Sequence, residues 1–296
     1  MTAHDATAYL VIANAAAGST ERAAIGSAVG RLAEAAPTSL RWTEDSTELD
    51  TAIAGSGGQT LVVAGGDGSL HLFVNRLAAA DALDRPVGLI PLGTGNDTAR
   101  GCGLPLDPTE AAEAVVDGRP RRLALAEGPD GELMVNNAHS GLGVRAAERA
   151  APLKPRLGPL AYPAGALLTG ASHQPRDVQV AVDGQMIHTG PADAVLVALG
   201  PSAAGGAGRL DRPGPDQATL SVRVVASTGA AERIRLVGQL VGGTLNDAND
   251  VIAAEGRAVQ VSGNSLGRGE IDGEFRDWPE GFGFEISPRR WNLLSP

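Results

Sequence analysis

Apolar residues in the first hundred positions fall in short blocks, most of them followed by a run at helical spacing. Tyr9 to Ala13 reads as a strand, Asn14 to Ser19 as a small-residue turn, and Ile25, Val29 and Leu32 then recur on one helical face. Leu40 to Thr43 is a second strand, with a short amphipathic helix around Leu49 to Ile53. Leu61, Val62 and Val63 form a third, buried strand that stops at Gly65-Gly66-Asp67-Gly68. Behind it Leu70, Phe73, Val74 and Leu77 predict a helix beginning near Ser69. Val87, Leu89, Ile90 and Leu92 lead into Gly93-Thr94-Gly95-Asn96-Asp97. Asp107-Pro108-Thr109-Glu110 reads as a capping box with proline at the first helical position, and Gly118 closes that helix. The alternation predicts a mainly parallel sheet with helices on both faces.

Beyond about residue 120 the period changes to that of strands. Arg121 to Glu127 and Leu133 to Ala138 flank Pro129-Asp130-Gly131, and Asp177 to Val182 and Gln185 to Thr189 flank Asp183-Gly184, two hairpin signals. Ala194 to Leu199, Thr219 to Val225, Val251 to Ala254 and Ala258 to Ser262 add strands. Helical stretches interrupt them around Gly143 to Gly170 and Ala230 to Leu240, and Gly200 to Pro215 reads as a long loop. The second domain is therefore chiefly antiparallel, and Phe282 to Leu294 adds a strand that tails back to the first. The expected division is residues 1–122, with a tail of about 276–296 returning to them, and residues 123–275.

Composition narrows the chemistry. The 296 residues are 43% hydrophobic and only 3% aromatic, with a formal net charge of −10. Few base-stacking side chains and an acidic balance argue against a nucleic-acid partner. The single cysteine, Cys102, forms no internal disulfide, and with no signal-peptide pattern at the start it leads to the expectation of a reducing cytoplasm. The longest uncharged run, Leu157 to Pro175, is interrupted by prolines, His173 and Gln174 and does not read as a membrane span. Lys154 is the only lysine, so a Walker-type P-loop is excluded.

Two glycine loops at the carboxyl ends of neighbouring strands are where an open α/β sheet binds its ligand. Glycine lets a ligand approach the main chain, and the amides of the loop and following helix favour an anion. An anion would repel Asp67 and Asp97 unless a cation lay between them, which points to a phosphate ligand carrying magnesium. The plainer alternative is that both aspartates cap helices in tight turns. Ile271-Asp272-Gly273-Glu274, taken alone, is a turn dipeptide between two carboxylates.

GGDGS at 65–69, PLGTGND at 91–97 and IDGE at 271–274, in that order, resemble the diacylglycerol kinase catalytic-domain family, bacterial lipid kinases related to sphingosine kinases and more distantly to NAD kinase and phosphofructokinase. Asn14 to Gly18, Thr43, Asn75 and Leu157 to Tyr162 are similar to further elements of that family, so the likeness spans nearly the whole chain. It implies an α/β first domain of phosphofructokinase/NAD kinase type and a mainly antiparallel β-sandwich second domain. It implies ATP and Mg2+ as cofactors, with transfer of the γ-phosphoryl group to a lipid hydroxyl, diacylglycerol being converted to phosphatidic acid. Asn14, Gly18, Thr43, Gly65, Gly66, Asp67, Gly68, Ser69, Gly93, Thr94, Gly95, Asn96 and Asp97 would bind the nucleotide, Asp67 and Asp97 holding the metal directly or through water. Asp272 would be the general base and Glu274 its support. The lipid would be met at a membrane surface, by a cytoplasmic protein in transient contact with its inner face. Oligomeric state stays open, a homodimer included.

Departures from the pattern leave two alternatives, a catalytically impaired nucleotide- or lipid-binding homologue and a kinase of a soluble hydroxyl. His71 and Leu72 replace the usual Asn-Glu, Ser19 a lysine, Ala124 an aspartate and Val144-Arg145 a Phe-Asp pair. Asp216-Gln217-Ala218 stands where the family often binds a structural magnesium, so that site is expected to be weak or lost. His71 reads first as a core or surface histidine, and His139 is a candidate for a cleft position. Arg145, Arg149, Lys154 and Arg156 form a basic run, read first as a solvated helix face and second as a contact for anionic lipid. Ser140 lacks a nucleophile-elbow setting.

Overall fold

The first four apolar blocks become one parallel sheet. The computed structural model describes residues 7–142, 144–145, 174–203, 208–210, 214–226, 229, 251–263 and 266–296. Its first elements are β1 (Tyr9–Asn14), α1 (Ser19–Ala35), β2 (Thr38–Thr43), α2 (Ser46–Gly55), β3 (Thr60–Gly65), α3 (Asp67–Ala79), β4 (Pro86–Pro91), α4 (Asp97–Cys102) and α5 (Pro108–Asp117). β1 pairs in parallel with β2 on one side and β3 on the other, and β4 extends the sheet beside β3. Tyr9, Val11 and Ala13 of β1, Val62 and Ala64 of β3 and Ile90 of β4 make a core with Ile25, Ala28 and Leu32 of α1 and Ala111, Ala112 and Val115 of α5. The alternate residues Leu10, Ile12, Leu61, Val63 and Leu89 are buried as well, on the face that α2 and α3 cover.

Helix ends follow local chemistry. Asp45 caps α2 by accepting from the Thr47 and Glu48 amides, and Asp107 caps α5 through Thr109 and Glu110. Gly118 ends α5 at φ −71°, so glycine is required there for room, since a Cβ would overlap the Ala114 carbonyl. α3 begins at Asp67, two residues before the expected start, with Gly66 as its N-cap.

The chain continues through β5 (Arg119–Glu127), β6 (Leu133–Met134), β7 (Asn137–Gly141), β8 (Arg176–Val182), β9 (Gln185–Ala198), β10 (Ser202–Ala203), β11 (Gly208–Arg209), β12 (Leu220–Ala226), β13 (Val251–Gly256), β14 (Ala258–Ser262), β15 (Arg268–Ile271), β16 (Glu274–Asp277) and β17 (Gly281–Ser295). Apart from β5 and the end of β17, these build a mostly antiparallel unit in the order β16-β15-β7-β9-β8-β14-β17, with β12 paired to β9 and β13. The chain clusters into two units, the first comprising the described residues through Leu125 with Gly214–Gln217 and Ser287–Pro296. In that first unit Asn292 and Leu293 of β17 pair in parallel with Pro86 and Val87 of β4. The return thus begins at Ser287 rather than about 276, and the visit of residues 214–217 is one that no sequence pattern signals.

Three sequence expectations change. Leu133 to Ala138 is two strands, because Val135 and Asn136 leave the ladder to hydrogen-bond a distant carboxylate. Gln185 to Thr189 and Ala194 to Leu199 belong to one long strand, β9, which pairs with β8 in its first half and with β7 and β12 in its second. The loop expected at 200–215 contains the β10–β11 pair. The helices expected around 143–170 and 230–240, the 157–162 motif and Arg149, Lys154 and Arg156 lie outside the described residues, apart from Val144 and Arg145. No described helix is long and apolar enough to cross a membrane.

Gly88 shows how tightly α5 meets the sheet: a Cβ there would lie 2.7 and 2.8 Å from the Val115 methyls and 3.1 Å from a Val62 methyl. Gly88→Ala should lower stability by about 1–3 kcal/mol through overpacking. A denaturant melt checks this, with the midpoint falling and the slope unchanged.

Candidate functional site

The parallel strands lie in the order β2-β1-β3-β4, so the direction of winding reverses between β1 and β3. Ligands of open α/β sheets bind outside the carboxyl ends of the strands at such a reversal. Three turns leave the sheet there: Asn14 to Gly18 after β1, Gly65 to Ser69 after β3 and Gly93 to Asn96 after β4. Asn14, Gly65, Gly66, Ser69 and Gly93, all expected from the sequence, line a cavity of about 220 Å³ together with Glu21. Thr43 closes the turn after β1, its carbonyl accepting from the Ala15 amide at 2.9 Å.

Glycine is obligatory where two of these turns meet. A Cβ on Gly66 would sit 2.9 Å from the Gly93 Cα, and one on Gly93 would sit 2.7 Å from the Gly66 Cα. The second turn is closed by Asn96, which stands in the left-handed region at φ 52°, accepts from the Gly93 amide at 2.9 Å and donates to the Gly93 carbonyl at 2.7 Å. Thr94 and Gly95 form the tip of the turn. Asp67, in the first turn of α3 with Gly68, reaches across to α4, and its two oxygens accept from the Asp97 and Thr98 amides at 3.0 Å each. The carboxylate assigned to a cation from the sequence therefore joins the two glycine loops, as a helix cap in trans. Asp97, the first residue of α4, is buried.

Among the described residues lining this cavity the only charged side chain is Glu21, which the sequence reading passed over because glycine is an unusual partner for a capping-box glutamate. No cluster of three or more acidic, histidine or cysteine side chains able to hold a metal occurs among the described residues. A closed protein cage for magnesium is thus absent there. An ion that arrives on phosphates and takes one or two carboxylates fits this donor set.

Asp272 lies elsewhere in sequence and in a different unit. With Gly273 it forms a two-residue turn at φ 49° and 92° between β15 and β16, which explains why Asp-Gly stands there. Its side chain is 2% exposed. Oδ1 accepts from the Asn136 and Asn137 amides at 2.8 and 2.9 Å, and Oδ2 from Val135 at 2.7 Å. Asn136, which the sequence reading missed, carries the grip onward: its main-chain carbonyl accepts from the Leu199 amide at 2.7 Å and its side-chain Nδ2 donates to the Ser202 carbonyl at 3.0 Å. Gly200 is needed because a Cβ there would overlap the Asn136 side chain. Glu274, on the far side of the turn, is exposed. The same unit repeats this device: Asp183-Gly184 turns at φ 48° and 77°, and Asp183 Oδ1 accepts from Arg257 and Ala258 at 2.9 and 2.8 Å. His139 faces Glu270 across β7 and β15, Nε2 to Oε1 3.6 Å, and His71 is buried on α3.

The segment expected to have weakened a structural magnesium site shows why. Arg121 donates from Nη2 to Asp216 Oδ1 and from Nη1 to the Cys102 carbonyl at 3.2 Å, while the Pro215 carbonyl accepts from the Ala124 amide at 2.8 Å. A guanidinium thus stands against the carboxylate a cation would use, and the residues do not fit a metal. Burial pushes the Asp216 carboxyl up, but the hydrogen bond and charge of Arg121 more than offset it and hold it below the usual range. Burial also drives the Cys102 thiol up to about 12, despite the charge of Arg121, which leaves it unreactive.

Residues 8–127 match the family described as diacylglycerol kinase catalytic domain, and residues 136–295 match the YegS C-terminal NAD kinase beta sandwich-like domain. The chain belongs to this family of YegS-like and diacylglycerol kinase-like lipid kinases. A Serratia proteamaculans protein named "Probable lipid kinase YegS-like" is 37% identical over 124 residues, 41% of this chain and 38% of that protein. The diacylglycerol kinase of Bacillus subtilis is 29% identical over 222 residues, 73% of this chain and 71% of that protein. Two further YegS-like relatives, from Enterobacter and Chromohalobacter, are matched over 61% and 56% of their own length. A solved structure described as a diacylglycerol kinase from Bacillus anthracis superposes with a TM-score of 0.76 at 23% identity, covering 98% of each chain. Yeast NADH kinase complexed with NADH gives 0.55 at 12% identity, covering 99% of this chain and 84% of that one. Likeness at those identities shows a shared fold.

Because Arg121 takes the place of a cation beside Asp216, EDTA should shift the melting temperature of the nucleotide-free protein by less than about 1 °C. Arg121→Met should destabilise by about 1 kcal/mol or less, since both side chains are partly exposed. A carboxylate with a depressed pKa stabilises above its unfolded pKa and loses that contribution as pH falls through the folded one. The difference in melting temperature between wild type and Arg121→Met should therefore be full at neutral pH and vanish on acidification below the carboxylate range.

Proposed function

We propose that the protein transfers the γ-phosphoryl group of ATP to a lipid hydroxyl, with diacylglycerol as acceptor and phosphatidic acid as product. The observation that carries this reading is the contact of two glycine turns beside the winding reversal of a parallel sheet, in a chain of a lipid kinase family. Phosphoryl transfer asks the protein for positioning and charge neutralisation more than for covalent chemistry. Gly65 to Ser69 and Gly93 to Asp97 offer main chain that phosphates can approach closely. Asp67 fixes the spacing of the two turns and brings Asp97 to the start of α4. Magnesium bound with the nucleotide would neutralise phosphate charge and polarise the transferred group, with Asp67 and Asp97, on the two glycine turns, as the proposed carboxylates for it, directly or through water. Asp272 is the proposed acceptor of the lipid hydroxyl proton, with the three amides of Val135, Asn136 and Asn137 holding its carboxylate in one orientation and Glu274 beside it on the turn. The acceptor lipid would be taken from a membrane surface.

The Asp272 carboxylate has a structural task as well, so its replacement alone is an ambiguous test. Asp183→Ala supplies the control, because it removes the oxygen that accepts both amides in the same kind of turn in the same unit. In magnesium-ATP assays with a panel of lipids in micelles, wild type should phosphorylate diacylglycerol. Asp272→Asn should lower the rate at least about 100-fold, whereas Asp183→Ala, destabilising by about 1–3 kcal/mol for its two unpaired amides, should retain it. Equal loss in the two variants would make Asp272 a turn anchor only. Transfer to no lipid, with nucleotide binding intact, would favour the binding homologue or a soluble acceptor.

A further inference from the structure

The turn between β1 and α1 has no amide left over for a ligand. The Ala15 N–H donates to the Thr43 carbonyl at 2.9 Å, Ala16 to Asn14 Oδ1 at 2.8 Å, Ala17 to the Asn14 carbonyl at 3.1 Å and Gly18 to Glu21 Oε2 at 2.9 Å. The turn's carbonyls are held as firmly. Arg22 donates from Nε to Ala17 at 3.0 Å and from Nη2 to Ala15, and its guanidinium lies 4.2 Å from the centre of the Trp42 ring. The nearby positive charge is thus spent on the turn, and Arg22 does not line the cavity. Among the described residues that line the space between this turn and Gly65, Gly66, Ser69 and Gly93, Glu21 is the one with a charged side chain.

Resting on the nucleotide reading above, we infer that Glu21 is a specificity-determining residue: its charge excludes metal-free nucleotide and admits the nucleotide only with its divalent cation. A phosphate chain entering this cavity meets a like charge and, among the described lining residues, no basic side chain, in surroundings of lower effective dielectric than water. A divalent ion carried on the phosphates reverses the sign of that encounter and gives the carboxylate a partner. The ordinary task of Glu21 is the capping-box bond to Gly18. Glutamine can make the same bond, so Glu21→Gln removes the charge and keeps the cap, at a loss of about 0.3–1 kcal/mol for the missing charge at the helix N-terminus.

The test is calorimetric titration with ADP, in magnesium and in EDTA, on the full chain, with the melting temperature of each variant measured alongside. Wild type should bind ADP at least about tenfold more weakly in EDTA than in magnesium. In Glu21→Gln the ratio should fall to about threefold or less, through tighter metal-free binding, with the melting temperature lowered by no more than about 4 °C. Glu21→Ala should narrow the ratio likewise while lowering the melting temperature through the lost cap. A wild type that binds ADP and a Glu21→Gln variant with metal-free affinity unchanged within about twofold would overturn this inference and leave the nucleotide reading standing. Failure of the wild type to bind ADP in either condition would overturn both.

Discussion

Two main-chain segments touch at Gly66 and Gly93 with no room for a Cβ on either, and much of the first unit follows from that approach. Neighbouring strands in a sheet bring their following turns close, yet side chains ordinarily keep such turns apart. Glycine on both removes the obstacle. Asp67 and Asn96 then hold what glycine permits: Asp67 ties the start of α3 to the start of α4, and Asn96 closes its own turn through a reciprocal pair with Gly93. A fixed, narrow pair of backbones at the carboxyl ends of neighbouring parallel strands suits a phosphate chain, since its charge is met by aligned dipoles that do not reorganise on binding.

The second unit uses another economy. Both Asp-Gly turns place an aspartate in the left-handed region, where the following glycine completes a tight hairpin, and both turn its side chain onto amides of a neighbouring segment. At Asp183 this closes an end of the sheet. At Asp272 it pulls Val135 and Asn136 out of strand geometry and links them through Asn136 to the Leu199–Ser202 segment. The IDGE turn is therefore an anchor in its own right, and any chemistry at Asp272 is carried by a carboxylate already held in place from three sides.

Strand and helix identity in the first unit was legible because β1, β3 and β4 are buried on both faces and the helices keep a 3.6-residue period. The glycine turns were legible because few other residue types suit such positions. The partners of the charged groups were not. Asp67 looks like a ligand or a cap of its own helix, and only the tertiary fold shows it capping α4. Glu21 hides three residues after a glycine, where no serine or threonine announces a capping box. Leu133 to Ala138 reads as one continuous strand, and its break comes from a residue more than a hundred positions away. Gln185 to Thr189 and Ala194 to Leu199 read as separate strands, yet β9 runs through Gly190-Pro191, where Pro191 pairs only with β8 while β12 joins at Ala192 and β7 at Ala194.

The close approach of the two turns is best tested by adding one methyl group. Gly93→Ala places a Cβ 2.7 Å from the Gly66 Cα and 2.9 Å from Asn96 Oδ1, so the turns must part. Titration of magnesium-ADP into wild type and Gly93→Ala should show affinity falling at least about tenfold, the equivalent of about 1–3 kcal/mol of overpacking, with a cooperative melt retained. Equal affinity in the two proteins would contradict the account, because the phosphates would then have to bind away from these turns.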